Sequence, residues 1–144
     1  MKKRSGKKDV KKLKKELWTI FSKYIRYRDC LKTTGTLYEG KCYTCGKLYS
    51  FSTLQAGHFI PGRHNSILFD ERGVHIQCFY CNIQLRGNPR AYDKMMKNEY
   101  GQKVIDELDE LNTKEKKYLS SELEDLKIFY KNRIKELTGN CDDI

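Results

Sequence analysis

Two cysteine pairs offer the clearest chemistry in the chain: Cys42-Tyr43-Thr44-Cys45 and Cys78-Phe79-Tyr80-Cys81. Each Cys-x-x-Cys pair presents two thiolates on a short loop, and tetrahedral zinc takes four soft or borderline ligands. Gly46, directly after Cys45, suits the tight turn of such a knuckle. Residues 46–77 separate the pairs, a longer gap than the ~15–20 residues of a simple zinc ribbon, so a folded insert is expected between them. The spacing therefore predicts a structural Zn²⁺ held by Cys42, Cys45, Cys78 and Cys81. The competing reading, one redox pair plus a chance pair, lacks the βαβ context of a thioredoxin-like motif. His75 could replace one cysteine, but four thiolates already fill the shell. Cys30 and Cys141 are unpaired by spacing and read as free thiols.

The insert holds all three histidines, and Asn82 follows the second knuckle at once. A neutral histidine can take a proton near neutral pH. A single hard cation with few protein ligands can bridge a phosphate and a leaving oxygen. Taken alone, His58 reads as a satisfied strand histidine. The elements that must position these residues are short. Lys47–Phe51, Gln55–Phe59, Ile67–Phe69 and Val74–Gln77 read as strands, punctuated by Pro61-Gly62 and Glu71-Arg72-Gly73. Around them the pattern is helical. From Leu13, the residues Leu17, Ile20, Phe21, Tyr24 and Tyr27 make one apolar stripe, ending at the turn Thr33-Thr34-Gly35. Pro89–Tyr100 opens with proline as a helix tolerates, and Gln102–Leu111 follows. A last helix starts at Ser120 or Ser121, with Glu124 completing a capping box. It carries Leu123, Leu126, Tyr130, Ile134 and Leu137 and stops at Gly139-Asn140.

The 144 residues carry 29 Lys+Arg against 19 Asp+Glu, a net charge of +10. Such a balance favours a polyanionic partner, nucleic acid before an anionic membrane. Charged residues make up 33% of the chain, above the usual share of about 25%, so the core is modest. The longest nearly apolar stretch, Leu17–Phe21, falls far short of the roughly 20 residues that span a bilayer. The basic N-terminus lacks the apolar segment of a signal peptide. Both features argue against a membrane-spanning or secreted protein and for a reducing compartment. The linear division expected is a disordered basic arm over 1–12, a basic amphipathic helix and turn over 13–40, a zinc-bound core over 41–88, and C-terminal helices over 89–144.

A histidine strand, a loop, a second strand and Cys-x-x-Cys-Asn opening a helix resemble the HNH, or His-Me finger, nuclease motif. Within it the chain resembles the phage lambda NinG/Rap recombination endonuclease family. The carrying segments are Phe21–Asp29, Thr44–Lys47, Ala56–Phe59, Leu68–Glu71, Val74–Cys78, Cys81-Asn82 and Gly87-Asn88, extended by Tyr92 and Tyr100-Gly101. Phage endonuclease VII is similar at Cys81–Leu85. The resemblance implies an α+β fold, a zinc-stapled ββα-metal core flanked by helices. It implies His58 as general base and Asn82 as ligand of a catalytic Mg²⁺ or Mn²⁺. It also implies hydrolysis of branched DNA such as Holliday junctions, in the cytoplasm of a bacterial host if the protein is phage-borne. A junction's pseudo-twofold symmetry would suit a homodimer.

Two positions depart from the HNH pattern. Gly57 stands where many such nucleases carry a metal-binding Asp, although the resembled family shares the glycine. Asp70 and Glu71 are the nearest carboxylates that could replace it, or are acids of a solvated turn. Gly73 stands where the middle Asn is expected, and Asn65 is a candidate replacement. Arg63, His64, His75, Arg86, Arg90, Lys23 and Arg26 are candidate DNA contacts, mostly to phosphate. The rival reading is a non-catalytic zinc-containing DNA-binding module with a decayed pocket.

Overall fold

The computed structural model describes residues 7–139 and has an α+β architecture. Its elements are helix α1 (Lys7–Thr34), strands β1 (Glu39–Lys41), β2 (Leu48–Ser50) and β3 (Gln55–His58), the short helix α2 (Asn65–Leu68), strand β4 (Val74–Gln77), and helices α3 (Pro89–Tyr100), α4 (Gln102–Asn112) and α5 (Ser120–Thr138). A π-turn, Tyr80–Gln84, joins β4 to α3. Two antiparallel two-stranded sheets form, β1 with β2 and β3 with β4. Among the described residues no helix is long and apolar enough to cross a membrane.

The packing follows a different division from the linear one. One unit combines the chain up to Tyr24 with the chain from Lys117 onward; the other is Ile25–Lys116. In the first unit Leu17, Phe21, Leu123, Tyr130 and Ile134 are buried. Phe21 meets Tyr130 edge to face at 5.0 Å, and Arg133 donates to the Tyr24 hydroxyl at 2.8 Å. In the second unit, Tyr92, Met96, Ile105 and Leu108 form a core against which Tyr43, Phe59 and Tyr100 pack.

Several expectations are corrected. Helix α1 begins at Lys7, so residues 7–12 of the expected arm are helical; residues 1–6 lie outside the described residues, as does Cys141. Lysine is a good helix former, and Asp9 in the first turn complements the helix dipole. Ile67–Phe69, read as a strand, falls largely in α2, where Ile67 and Leu68 are buried. A short apolar run does not reveal its own period. The helix expected after Cys81 is the π-turn, in which the Leu85 N–H reaches the Tyr80 carbonyl at 2.8 Å. At the start of α5 the Leu119 N–H is met by Glu122 at 3.4 Å, where Ser121 and Glu124 were expected to cap.

The second unit is tied together by α1's last turns. Asp29 is buried and accepts the Ile76 N–H of β4 at 2.9 Å. Arg28 donates to the carbonyls of Glu71 (3.0 Å) and Val74 (2.7 Å) and pairs with Asp29 at 2.8 Å. On the same strand the Ile76 carbonyl accepts the Tyr43 N–H at 2.8 Å, which sets the first cysteine pair beside the second.

Candidate functional site

The β1–β2 loop carries Cys42 and Cys45, and β4 runs directly into Cys78 and Cys81. Their four sulfurs lie within 4.8 Å of one another, with Cys45 and Cys78 Sγ 3.9 Å apart. Four thiolates ~2.3 Å from one zinc would sit about 3.8 Å from each other. The tetrad can therefore hold a zinc ion with little movement. Gly46 takes φ +77°, the left-handed turn expected of it, and its N–H meets the Cys42 carbonyl at 2.9 Å. Burial disfavours the Cys42 thiolate. The Thr44 hydroxyl and the N–H groups of Cys78, Cys45 and Thr44 outweigh that and draw this thiol down to about 7. Cys30 lies apart from the tetrad, buried, its thiol pushed up to about 11 by burial.

Strands β3 and β4 pair Gln55 with Gln77, Gly57 with His75 and His58 with Val74. His58, half-buried, has Nε2 3.0 Å from the Leu68 carbonyl at the end of α2. A carbonyl only accepts, so Nε2 carries the hydrogen and the ring's lone pair lies on Nδ1. Burial lowers the His58 pKa below its ordinary value and Arg63 adds to this, against the opposing Leu68 bond. The imidazole is therefore neutral at neutral pH, as a base must be.

Asn82 sits on the π-turn one residue past Cys81, its N–H on the Cys78 carbonyl at 2.9 Å. Its side-chain nitrogen donates to Gln55 Oε1 at 2.8 Å. This turns Asn82 Oδ1 toward β3, where it lies 2.8 Å from the point a Cβ on Gly57 would occupy. Thus β3, β4 and the π-turn gather Gly57, Gln77 and Asn82, with His58 the next residue along β3. The amide oxygen of Asn82 is a hard donor that suits Mg²⁺ or Mn²⁺ better than zinc.

The remaining candidates scatter. Both oxygens of Asp70 are engaged by Arg72, and Glu71 lies 3.9 Å from Arg28. Asn65 donates to the Lys116 carbonyl at 2.9 Å. Arg63, His64, Arg86 and Arg90 are exposed, and His64 Nδ1 lies 3.1 Å from the Asn112 carbonyl. Lys23 and Arg26 are half-buried, with the Arg26 guanidinium 4.5 Å from the centre of the Phe51 ring.

His75 is corrected: it cannot reach DNA, because it is 1% exposed. Alternation beside Val74 and Ile76 suggests an outward face, but both faces of β4 are covered. The Tyr92 hydroxyl donates to the Gly57 carbonyl at 2.6 Å, so it accepts from His75 Nδ1 at 3.3 Å. His75 Nε2 then accepts from the Tyr100 hydroxyl at 2.9 Å. Its ring stacks on Tyr43 with centroids 3.9 Å apart. Burial drives its pKa far below the ordinary value, helped by Arg28 and Lys32. The chain Tyr100–His75–Tyr92–Gly57 holds the peptide before His58. Sequence reasoning missed this role, as it missed Asp29, Gln77 and the Leu68 carbonyl. Only the strand register, which sets Gln77 across from Gln55, could have drawn attention to Gln77.

Comparison with known proteins adds to this geometry. A family model described as Bacteriophage Lambda NinG protein matches residues 1–140. A protein called Protein ninG from Escherichia phage 933W is 33% identical over 100 residues, 69% of this chain and 49% of that protein. Its namesake from Salmonella phage P22 is 32% identical over 97 residues, 67% of this chain and 47% of its own. That of Escherichia phage lambda is 31% identical over 100 residues, 69% and 48%. The chain thus spans about half the length of these curated relatives. No solved structure matches.

Proposed function

The chain belongs to the bacteriophage lambda NinG family, and on that premise we propose that it is a zinc-stapled, metal-dependent DNA endonuclease of the HNH type. Its substrate on this reading is branched DNA, such as a Holliday junction formed in recombination. The observation that carries the reading is Asn82 set against Gly57, the residue directly before His58. A neutral histidine, oriented by the Leu68 carbonyl at 3.0 Å, follows the glycine against which Asn82 Oδ1 rests. The net charge of +10 supports a nucleic-acid partner.

The chemistry follows from these residues. His58 takes a proton from water at Nδ1 as the oxygen attacks phosphorus. The Leu68 carbonyl fixes the ring and stabilises the imidazolium that forms. The bond from phosphorus to the 3′ oxygen breaks and that oxygen takes a proton from solvent, leaving a 5′-phosphate and a 3′-hydroxyl. A divalent cation, when bound at Asn82, supplies charge stabilisation for the phosphate and the leaving oxygen. Tyr92 keeps the Gly57 peptide in place, and so the angle at which β3 presents His58. Arg63, Arg86 and Arg90 are exposed and are the proposed phosphate contacts. Zinc on the four thiolates would fix β4 and the π-turn, and with them Asn82.

The test is cleavage of a four-way junction beside a matched linear duplex, with Mg²⁺ or Mn²⁺. His58→Ala should lose about 10²–10⁴-fold in rate while keeping zinc and junction binding. Cleavage at the wild-type rate by this variant refutes the base assignment. A wild type that binds DNA but cuts nothing with any divalent ion is the non-catalytic module instead.

A further inference from the structure

The missing carboxylate at Gly57 leaves a metal site with one side-chain ligand, and Gln77 lies in the vacated space. A Cβ built on Gly57 would meet Gln77 Oε1 at 2.0 Å and Asn82 Oδ1 at 2.8 Å. Two amide oxygens therefore converge on one point, the point from which the usual Asp side chain would extend. Gln77 is fully buried. Its Nε2 donates to the Thr44 hydroxyl at 3.1 Å and to the Gly87 carbonyl at 3.0 Å. That pins the orientation of the amide, because flipping it would set oxygen against the Gly87 carbonyl oxygen. Among the described residues, Gln77 Oε1 has no hydrogen-bond partner. A buried carbonyl oxygen left unpaired is rare in native proteins and calls for a ligand.

We infer that Gln77 Oε1 is the second protein ligand of the catalytic divalent cation, replacing the carboxylate that Gly57 lacks. The inference rests on the nuclease reading for Asn82 and goes beyond it. Glycine at 57 and glutamine at 77 form a reciprocal pair: the glycine makes room for an oxygen delivered from the neighbouring strand. Both donors are neutral amide oxygens, which suit a hard cation. Neither cancels its charge, so the cation keeps its attraction for phosphate and should bind more tightly with DNA present than without.

Mn²⁺ binding, followed by electron paramagnetic resonance on the zinc-loaded full chain with an uncleavable phosphorothioate junction, tests this without reading activity. Gln77→Met keeps the volume and removes the oxygen, and should weaken Mn²⁺ binding at least tenfold. Gln77→Glu should tighten it at least tenfold, a gain that a purely structural Gln77 would not produce. Zinc content and melting temperature establish that each variant is folded, and if one fails to fold the other decides. Mn²⁺ affinity equal to wild type in a folded variant overturns the inference, as does a wild type that binds no Mn²⁺. Cleavage by the same preparations separates the failures. Wild-type rates in Gln77→Met leave the nuclease standing without Gln77, whereas a wild type inactive with every divalent ion removes the nuclease reading as well.

Discussion

Acid should destabilise the Ile25–Lys116 unit through His75. Its ring is 1% exposed and is held neutral by its neighbours. The Tyr100 hydroxyl donates to Nε2, Tyr43 stacks on one face, and Arg28 and Lys32 contribute positive charge nearby. Glu99, 3.8 Å from Nε2, favours the charged form, but burial outweighs it. The folded pKa therefore lies far below the unfolded value of about 6.5. Above pH 6.5 the histidine is neutral in both states and its contribution is constant. Below it, the unfolded chain takes up a proton that the folded one refuses, so stability falls as pH falls. The slope for one such group is about 1.4 kcal/mol per pH unit, or about 2 kcal/mol between pH 6.5 and 5.0. That is a sizeable part of the roughly 5–15 kcal/mol that holds a domain folded. Zinc thiolates also lose stability in acid, so the quantity to read is the difference between wild type and His75→Gln. Glutamine can donate and accept but does not titrate. Urea unfolding from pH 7.0 to 5.0 should find the variant less stable at neutral pH. Its loss in acid should be shallower, by about 1.4 kcal/mol per pH unit. Parallel pH dependences would refute the argument.

Three further outcomes are expected. Cys42→Ser should lose zinc and cooperative unfolding together, because structural zinc contributes roughly 10–16 kcal/mol in small finger peptides; metal analysis and melting check this. With His58 as the proposed base, cleavage should be flat from pH 8 down to about 6.5 and fall only below it, because the ring must be neutral and burial lowers its pKa; a midpoint above 6.5 in kcat/KM contradicts the proposal. Asp29→Ala should cost about 3 kcal/mol in denaturant unfolding, near the low end for a broken buried pair. Arg28 keeps two carbonyl acceptors, while the Ile76 N–H loses the Asp29 carboxylate.

The parts of the site governed by local spacing could be read from the sequence. Two Cys-x-x-Cys pairs can meet only if the insert brings them together, and the four sulfurs do converge. Strand Val74–Gln77 and helix Pro89–Tyr100 occur with the bounds their patterns predict. Features that depend on long-range packing could not be read. His75 alternates as an outward residue would, but α3 supplies Tyr92 and Tyr100 to bury it. The π-turn has no periodic signature in so short a segment. Gln77 looks like any polar residue before a cysteine until the register sets it across from Gln55 and its side chain reaches Gly57.

The outer edge of β4 has an effect on assembly. A strand at a sheet's margin normally offers unpaired N–H and C=O groups to any passing chain. Here Arg28 takes the Val74 carbonyl, Asp29 takes the Ile76 N–H, and the Tyr43 N–H takes the Ile76 carbonyl. Two side chains and a loop amide stand in for a third strand. Edge-to-edge recruitment of another copy along β4 is thereby blocked, which protects the strand that leads into the second cysteine pair from aggregation. A twofold assembly built to match a junction's symmetry would have to use some other surface.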